Sequence, residues 1–367
     1  MPAAMQPPSA PTPDWPAGPV PALATAGIGT PLLRLHDFTV SVRGGAPIVR
    51  GIELSVARGE ALGIVGESGC GKSITWLAAL RLLGRGVTTG GEALLGGRDL
   101  ARLSEGDLAR VRGGRIALIF QDPSSALNPV QRIGTQLVEV LRLHRGLTGE
   151  AARTEALRLL DRVGIADGSR RLRQYPHEFS GGMNQRVMIA LALAGEPDIL
   201  VADEPTTALD ATIQAQVLDL IRDIRRETGM ALVLISHDIG VVGDLCDRIA
   251  VMYAGRIVET AATRDLLTRP RHPYTQGLLA ALPTLDGPRQ RLTPIPGTVP
   301  APAHIPAGCA FAPRCPAAVE RCGGELPELA FAGQDQRAAC LRLDELPVRG
   351  DRSPQVVASP SLAEVPA

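Results

Sequence analysis

The residues from Gly66 to Ser73 read Gly-Glu-Ser-Gly-Cys-Gly-Lys-Ser and carry the clearest chemistry in the sequence. An apolar run at Ala61–Val65 precedes them, and a helix-forming segment at 74–80 follows them. Strand, loop and helix in this order are typical of a phosphate-binding loop, because glycines let successive backbone N–H groups turn towards phosphate oxygens. The stretch therefore predicts a nucleotide phosphate site.

Lys72 is the only lysine among the 38 lysine and arginine residues of the chain. A compact ammonium group fits between the β- and γ-phosphates where a planar guanidinium does not, which explains a lysine at this position. The hydroxyl of Ser73 is placed to bind Mg²⁺. The remaining predicted phosphate-binding positions are Gly66, Glu67, Ser68, Gly69, Cys70 and Gly71.

Polar residues that could meet a bound nucleotide also end three further apolar runs. They are Gln121 after 115–120, Asp203 and Glu204 after 199–202, and His237 after 231–235. We expect Asp203 to hold Mg²⁺ and Glu204 to orient and polarise an attacking water. The amide of Gln121 could reach Mg²⁺ or its water, and His237 alone fits a structural role as well as a catalytic one.

A second candidate anion site lies at Ser180-Gly181-Gly182-Met183, which opens a predicted helix running to about Ala194. Two glycines at a helix start expose N–H groups, and Ser180 adds a hydroxyl. An ordinary helix cap explains the same residues. The complete phosphate loop elsewhere in the chain favours a functional role.

Composition limits the class of protein. The formal net charge is zero and 45% of the residues are hydrophobic, so we expect a globular chain without a global basic field for nucleic acid. No apolar run is long enough to span a bilayer, and no secretory signal is evident. We therefore expect a cytoplasmic location, with the six cysteines as thiols or metal ligands.

The pattern of segments predicts an α/β fold with a mixed, mainly parallel sheet. The predicted parts are a disordered Pro/Ala-rich leader (1–31), a nucleotide domain (32–268), a cysteine-bearing extension poor in regular structure (269–345) and a flexible tail (346–367). Within the nucleotide domain we expect an N-terminal antiparallel β subdomain and an inserted helical subdomain at about 122–180, where Leu137, Leu141, Ala156 and Leu160 follow helical spacing.

These motifs, in this order, resemble those of the ATPases of ABC transporters over about residues 32–268. The matching elements are Gly66–Ser73 (Walker A), Gln121 (Q-loop), 180–183 (signature), 199–204 (Walker B), 208–210 (D-loop, ending at Asp210) and His237 (switch). The resemblance implies a P-loop fold and two ATPase subunits that meet head to tail, with the signature of one closing over ATP held by the other. It makes Glu204 the catalytic carboxylate and gives His237 a contact with the γ-phosphate.

One position departs from that family. Members usually stack an aromatic side chain on adenine, but Val42 stands where that residue lines up, and Phe38 lies four residues earlier. Weaker or less selective nucleotide binding is the expected consequence.

The extension narrows the resemblance. Arg271-His272-Pro273-Tyr274-Thr275 and Ile295-Pro296-Gly297 resemble the C-terminal extension of oligopeptide and dipeptide importer ATPases. The implied partners are a second, distinct ATPase subunit, two membrane permease subunits and, indirectly, an extracytoplasmic peptide-binding protein, at the cytoplasmic face of the inner membrane. Nickel and glutathione importer ATPases share parts of this pattern, and a non-transport ABC ATPase acting on nucleic acid or ribosomes is a more distant alternative.

Four cysteines follow in the extension: Cys309, Cys315, Cys322 and Cys340. Four thiolates suit Zn²⁺ or an iron–sulfur cluster, and the absence of Cys-x-x-Cys pairs favours a cluster over zinc. Some members of the resembled group carry a [4Fe–4S] cluster on a matching set. Unligated structural thiols are the third alternative.

Overall fold

The computed structural model of the chain describes residues 31–122, 126–207, 210–282, 294–333 and 335–346. The predicted leader and tail, apart from Pro31 and Leu346, lie outside the described residues.

An eight-stranded sheet forms the centre of the molecule. In spatial order its strands are β11 (Ala330–Phe331), β12 (Arg337–Ala338), β10 (Arg256–Ala262), β9 (Arg248–Tyr253), β3 (Ala61–Val65), β8 (Ala231–Ile235), β7 (Ile199–Asp203) and β6 (Ile116–Ile119). The five strands from β9 to β6 pair in parallel, whereas β10, β12 and β11 pair antiparallel. The mixed, mainly parallel sheet predicted from the sequence is confirmed.

The parallel strands are buried on both faces. Along β3, Leu62 and Ile64 join one apolar core, and Ala61 and Val65 join the other. Because side chains alternate across a strand, a strand covered on both faces reads as a continuous apolar run. This burial explains why β3, β7 and β8 were recognisable in the sequence.

A separate four-stranded antiparallel sheet covers one face of the main sheet. Its order is β2 (Val49–Val56), β1 (Leu33–Val42), β4 (Val87–Leu95) and β5 (Arg98–Asp99). The pairing of β1 with β2 shifts between Leu35 and Phe38, next to Asp37, whose φ is 44°. This bulge explains why the apolar positions of β1 change phase after Leu35.

Eleven α-helices lie wholly within the described residues. They are α1 (Lys72–Ala79), α2 (Glu105–Val111), α3 (Ile133–Arg145), α4 (Gly149–Arg162), α5 (Gly168–Arg171), α6 (Gly181–Ala194), α7 (Ala211–Thr228), α8 (Ile239–Leu245), α9 (Thr263–Thr268), α10 (Pro273–Ala280) and α11 (Arg321–Gly324). Short 3₁₀ turns occur at Leu100–Arg102, Pro176–Glu178, Pro302–His304 and Ala312–Arg314. In the part of the chain that the structure covers, no helix is long and apolar enough to cross a membrane.

The inserted helical region consists of α3, α4 and α5, packed with α6. The apolar positions Leu137, Leu141, Ala156 and Leu160, which the helical spacing singled out, are all fully buried there. The amphipathic pattern was therefore correctly assigned, because one stripe of each helix faces the shared core.

The extension is more regular than the sequence predicted, because β11 and β12 join the main sheet. Glu259 on β10 has a buried carboxylate that holds the extension against the main sheet. It accepts hydrogen bonds from the backbone N–H groups of Arg271 (2.8 Å) and His272 (2.9 Å) and from the side-chain amide of Gln336 (2.7 Å). These bonds compensate the cost of burying the carboxylate.

His272, which lies in this attachment, makes the stability of the folded chain depend on pH. Burial lowers the pKa of His272 to about 4, and its Nδ1 accepts a hydrogen bond from the backbone N–H of Tyr274 at 3.0 Å. The unfolded chain binds a proton on this imidazole near pH 6.5, whereas the folded chain does not. This histidine therefore contributes stability above pH 6.5 that is lost as the pH falls towards 4.

We predict that His272→Asn flattens this pH dependence, since asparagine can still cap the helix but does not titrate. Between pH 7 and pH 4 the wild-type chain should lose about 3 kcal/mol more free energy of unfolding than the variant. Urea unfolding across this pH range measures the difference. The exposed His304, replaced by asparagine, is the control, and equal losses in His272→Asn and the wild type would contradict the prediction.

Candidate functional site

The predicted phosphate loop lies between the end of β3 and the start of α1. Gly71 caps the helix in a left-handed conformation with φ of 108°. The Lys72 ammonium donates hydrogen bonds to the backbone carbonyls of Gly66 (2.7 Å) and Glu67 (3.0 Å). Lys72 thus lies over its own loop. Its ammonium can exchange these carbonyls for phosphate oxygens when a nucleotide binds.

Close backbone contact fixes one end of the loop. A Cβ atom on Gly66 would lie 2.2 Å from the carbonyl oxygen of Met252 on β9, whereas a Cβ atom on Gly69 would meet nothing within 4 Å. Gly66 is therefore required by packing against a neighbouring strand. Gly69 has φ of 79°, so glycine serves there for its backbone conformation alone.

Asp203, the last residue of β7, meets the loop. Its carboxylate accepts a hydrogen bond from the hydroxyl of Ser73. Burial, and to a smaller extent the charge of Glu204, raises the pKa of Asp203. A cation held between Ser73 and Asp203 would relieve this unfavourable negative charge.

Glu204 is surrounded by three polar side chains. Its carboxylate accepts hydrogen bonds from the Gln121 amide (3.1 Å) and the Thr207 hydroxyl (2.9 Å), and it lies 3.3 Å from His237 Nδ1. Glu204 itself has a left-handed backbone with φ of 47°. Residues that the sequence placed at three strand ends are thus brought together around one carboxylate.

Thr207 was missed in the sequence. It follows Glu204 by three residues, and its backbone N–H donates to the Glu204 carbonyl at 3.2 Å, which closes a turn. A hydroxyl three residues after an acid is a common turn pattern, so the spacing alone could not assign it to the site.

The predicted second anion site occupies the start of α6. Ser180 caps this helix by accepting a hydrogen bond from the Met183 N–H at 3.3 Å, and Asp210 caps α7 by accepting one from the Ile213 N–H at 2.9 Å. A Cβ atom on Gly182 would lie 2.8 Å from Ile213, whereas Gly181 faces open space. These contacts join the two helix starts to each other and leave Gly181 open to a partner. Residues 208 and 209 of the predicted D-loop lie outside the described residues.

The candidate base-stacking position has no available aromatic side chain on β1. Val42 is 36% exposed, whereas Phe38 is only 3% exposed and packs in the core. Phe38 therefore cannot substitute for a stacking residue at Val42.

The four cysteines of the extension line one small cavity, together with Phe311 and Arg342. Burial raises the pKa of Cys309, Cys315 and Cys340, with smaller contributions from neighbouring thiols of the set. The described residues nevertheless include no group of three or more His, Cys, Asp or Glu side chains arranged to hold a metal ion. The thiols converge, but they do not form a ready metal site.

Cys70 and Cys246 stand apart from that set and are buried. Burial raises the pKa of Cys246 to about 12 and also raises that of Cys70. Protonated, buried thiols react slowly, so both residues fit a packing role.

Two family models match the chain. One describes an ABC transporter and matches residues 49–207; the other describes the C-terminal region of oligopeptide/dipeptide transporters and matches residues 258–322. The "Probable peptide ABC transporter ATP-binding protein y4tR" of Sinorhizobium fredii is 49% identical over 321 residues, which cover 86% of this chain and 96% of that protein. A Brucella abortus protein named provisionally as a peptide import ATP-binding protein is 49% identical over 307 residues, covering 83% of this chain and 92% of the relative.

Solved structures agree on the fold of the nucleotide domain. The dimeric ATP-binding cassette MJ0796, in a post-hydrolysis state bound to ADP and Pi, matches with a TM-score of 0.56 and 29% identity, over 63% of this chain and 99% of that one. CbiO1 from Clostridium perfringens, part of the ABC transporter complex CbiONQ, matches with a TM-score of 0.57 and 25% identity, over 64% of this chain and 90% of that one.

We predict that Gly66→Ala damages the phosphate loop far more than Gly69→Ala does. The first change forces a methyl group against a strand carbonyl and should cost about 2 kcal/mol or more in stability, together with most nucleotide affinity. The second should cost about 1 kcal/mol, from the left-handed backbone alone. Equilibrium unfolding and titration with a fluorescent ATP analogue measure both effects, and equal losses in the two variants would contradict this account of the loop.

Proposed function

This chain belongs to the ATP-binding subunits of ABC transporters that import peptides, and we propose that its Glu204 carboxylate activates the water that attacks ATP. The chain hydrolyses ATP with Mg²⁺ to drive the import of peptides through membrane permease subunits. The convergence of Gln121, Thr207 and His237 on Glu204 is the observation that supports this role best.

Each surrounding group has a part in holding Glu204 for catalysis. The Thr207 hydroxyl and the Gln121 amide donate to the same oxygen, Oε2, which leaves Oε1 to face a water and His237. A carboxylate oriented in this way can accept a proton from the attacking water. His237 is 67% exposed, so it is free to meet the γ-phosphate when ATP is bound.

Ser73 and Asp203 are the proposed protein ligands of Mg²⁺, with Gln121 within reach of the ion or its water. A hydroxyl beside one buried carboxylate fits this ion, which commonly binds one or two carboxylates and completes its coordination with substrate phosphates and water. Bound Mg²⁺ neutralises the charge that develops on the phosphates during transfer. Lys72 and the N–H groups of the loop orient those phosphates.

The signature residues Ser180, Gly181 and Gly182 are proposed to bind the ATP held by a partner subunit. ATPases of this family act as pairs, and this chain presents Gly181 to open space at the start of a fourteen-residue helix. Asp210 caps α7, whose Ile213 lies against Gly182, and it would face the same interface. We propose that the partner is a related but distinct chain, and that Gln121 links the nucleotide to the permease through the helical subdomain.

The complete transporter is proposed to include an extracytoplasmic peptide-binding protein and to lie at the inner membrane, with this subunit at its cytoplasmic face. The match to the oligopeptide/dipeptide C-terminal region supports that assembly. No nucleic-acid partner is proposed, since the chain has no net positive charge.

We also propose that Cys309, Cys315, Cys322 and Cys340 hold a [4Fe–4S] cluster. The chemistry of the donor set supports this proposal, because four thiols line one cavity and four cysteine thiolates are the usual ligands of such a cluster. Ligation would require the four thiols to be deprotonated, as a bound metal commonly achieves. For Cys309, Cys315 and Cys340 the metal would have to overcome the raised pKa of the thiol.

We predict that Glu204→Gln lowers the rate of ATP hydrolysis by about 10²–10⁴-fold while ATP affinity stays within about threefold of the wild type. Glutamine keeps the size of the side chain but cannot accept the proton. Phosphate release from the assembled transporter and ATP titration measure the two effects. Glu196→Gln, which changes an exposed acid at the far end of α6, is the control, and near-normal turnover in Glu204→Gln would remove Glu204 from its proposed role.

The cysteine proposal predicts iron and acid-labile sulfide in equal amounts, close to four of each per chain, after anaerobic purification. Replacing Cys315 and Cys322 with serine should abolish both and the accompanying visible absorption. The Cys246→Ser variant should retain them. Protein that contains only zinc, or no metal at all, would refute the cluster.

A further inference from the structure

The extension makes direct contact with the phosphate loop through Arg314. Arg314 is 8% exposed and lies in the 3₁₀ turn Ala312–Arg314, immediately before Cys315. Its Nη1 lies 3.0 Å and 3.1 Å from the two carboxylate oxygens of Glu67, the second residue of the loop. A partly buried ion pair therefore joins the cysteine-bearing extension to the nucleotide site.

Every nitrogen of the guanidinium group is used. Nε donates to the carbonyl of Pro296 at 2.7 Å, Nη2 donates to the carbonyl of Gly297 at 3.3 Å, and Nη1 also reaches the hydroxyl of Tyr253 at 3.3 Å. Such a set of bonds fixes the guanidinium in one orientation, because its donors form a rigid planar fork. Arg314 thus presents a positioned charge to Glu67.

The extension also holds the backbone of Glu67. The Glu67 N–H donates to the hydroxyl of Tyr274 at 2.9 Å, while the Glu67 carbonyl accepts from Lys72 at 3.0 Å. Tyr274 packs against Tyr253 and Phe311, with ring centroids 4.6 Å and 5.3 Å away. The side chain and the N–H of Glu67 are therefore fixed by the extension, and its carbonyl contacts the phosphate-binding lysine.

We propose that Arg314 is a positioning residue for the ATP site. It orients the Glu67 peptide within the phosphate loop, and it neutralises the Glu67 carboxylate, which would otherwise repel the phosphates of ATP. The extension is in this way part of the nucleotide site and supplies the cation that pairs with the Glu67 carboxylate.

Arg314→Met keeps the length and apolar packing of the side chain but removes the charge, and leaves Glu67 unpaired beside the phosphate site. The variant should bind ATP about tenfold or more weakly and raise the KM for ATP by the same factor, while kcat at saturating ATP changes by less than about threefold. Arg314→Lys, which keeps a charge within reach of Glu67, should recover most of the affinity.

The double variant Arg314→Met with Glu67→Gln distinguishes the proposed positioning and charge neutralisation by Arg314 from a general loss of structure. Because the unpaired carboxylate is gone, the double variant should bind ATP more tightly than Arg314→Met alone. A merely structural role for Arg314 predicts additive losses instead. Should Arg314→Met fail to fold, Arg314→Lys and Glu67→Gln test the same contact. The Glu67 side chain is 30% exposed.

Arg321→Met is the matched control. Arg321 lies in the same extension and pairs with Glu345 at 2.6 Å, and it contacts the Leu341 carbonyl rather than the loop. Titration with a fluorescent ATP analogue should give wild-type affinity for this variant. Wild-type affinity in Arg314→Met, or a double variant that binds no better than Arg314→Met, would overturn the proposal.

Discussion

The ATP site depends on the parallel register of β3, β8, β7 and β6. Ile64 of β3 and Asp203 of β7 both pair with Ile235 of β8, so the three strands end at one level. Parallel strands deliver whatever follows their carboxyl ends to a single edge of the sheet. A slip of one residue in β7 would turn Asp203 to the opposite face of the sheet, away from Ser73, and would reverse every other side chain of the strand as well.

Charge balance at this edge is the second requirement. The Lys72 ammonium lies between the carbonyls of Gly66 and Glu67, and the Glu67 carboxylate is paired with a buried arginine from the extension. Asp203, in contrast, has a raised pKa, because burial and the nearby charge of Glu204 outweigh the hydrogen bond from Ser73 and the charge of Lys72. The negative charge of Glu67 in the loop is thus neutralised before ATP binds. The carboxylates of Asp203 and Glu204 remain in a state that favours the binding of Mg²⁺. The charge at this edge of the sheet is therefore balanced only when ATP binds together with its cation.

Much of this arrangement could be predicted from sequence, because it depends on local patterns. The strand Ala231–Ile235 and the helix Gly181–Ala194 have the bounds that their apolar runs and glycines indicated. The strand β10 and the short strands of the extension were missed, since their pairing is decided by distant partners rather than by their own composition. Arg314 was missed for the same reason, because 247 residues separate it from Glu67 and no spacing rule relates the two.

We propose that one chain carries two half-sites: a phosphate loop with its acids, and a signature helix whose exposed start binds the ATP of another subunit. The most direct test measures phosphate release and molar mass on the same chromatographic fractions, over a range of protein concentrations, for the chain alone and for the assembled transporter. We expect turnover only in fractions that contain two ATP-binding subunits. Full turnover in fractions with the 38.5 kDa mass of a single chain would contradict it.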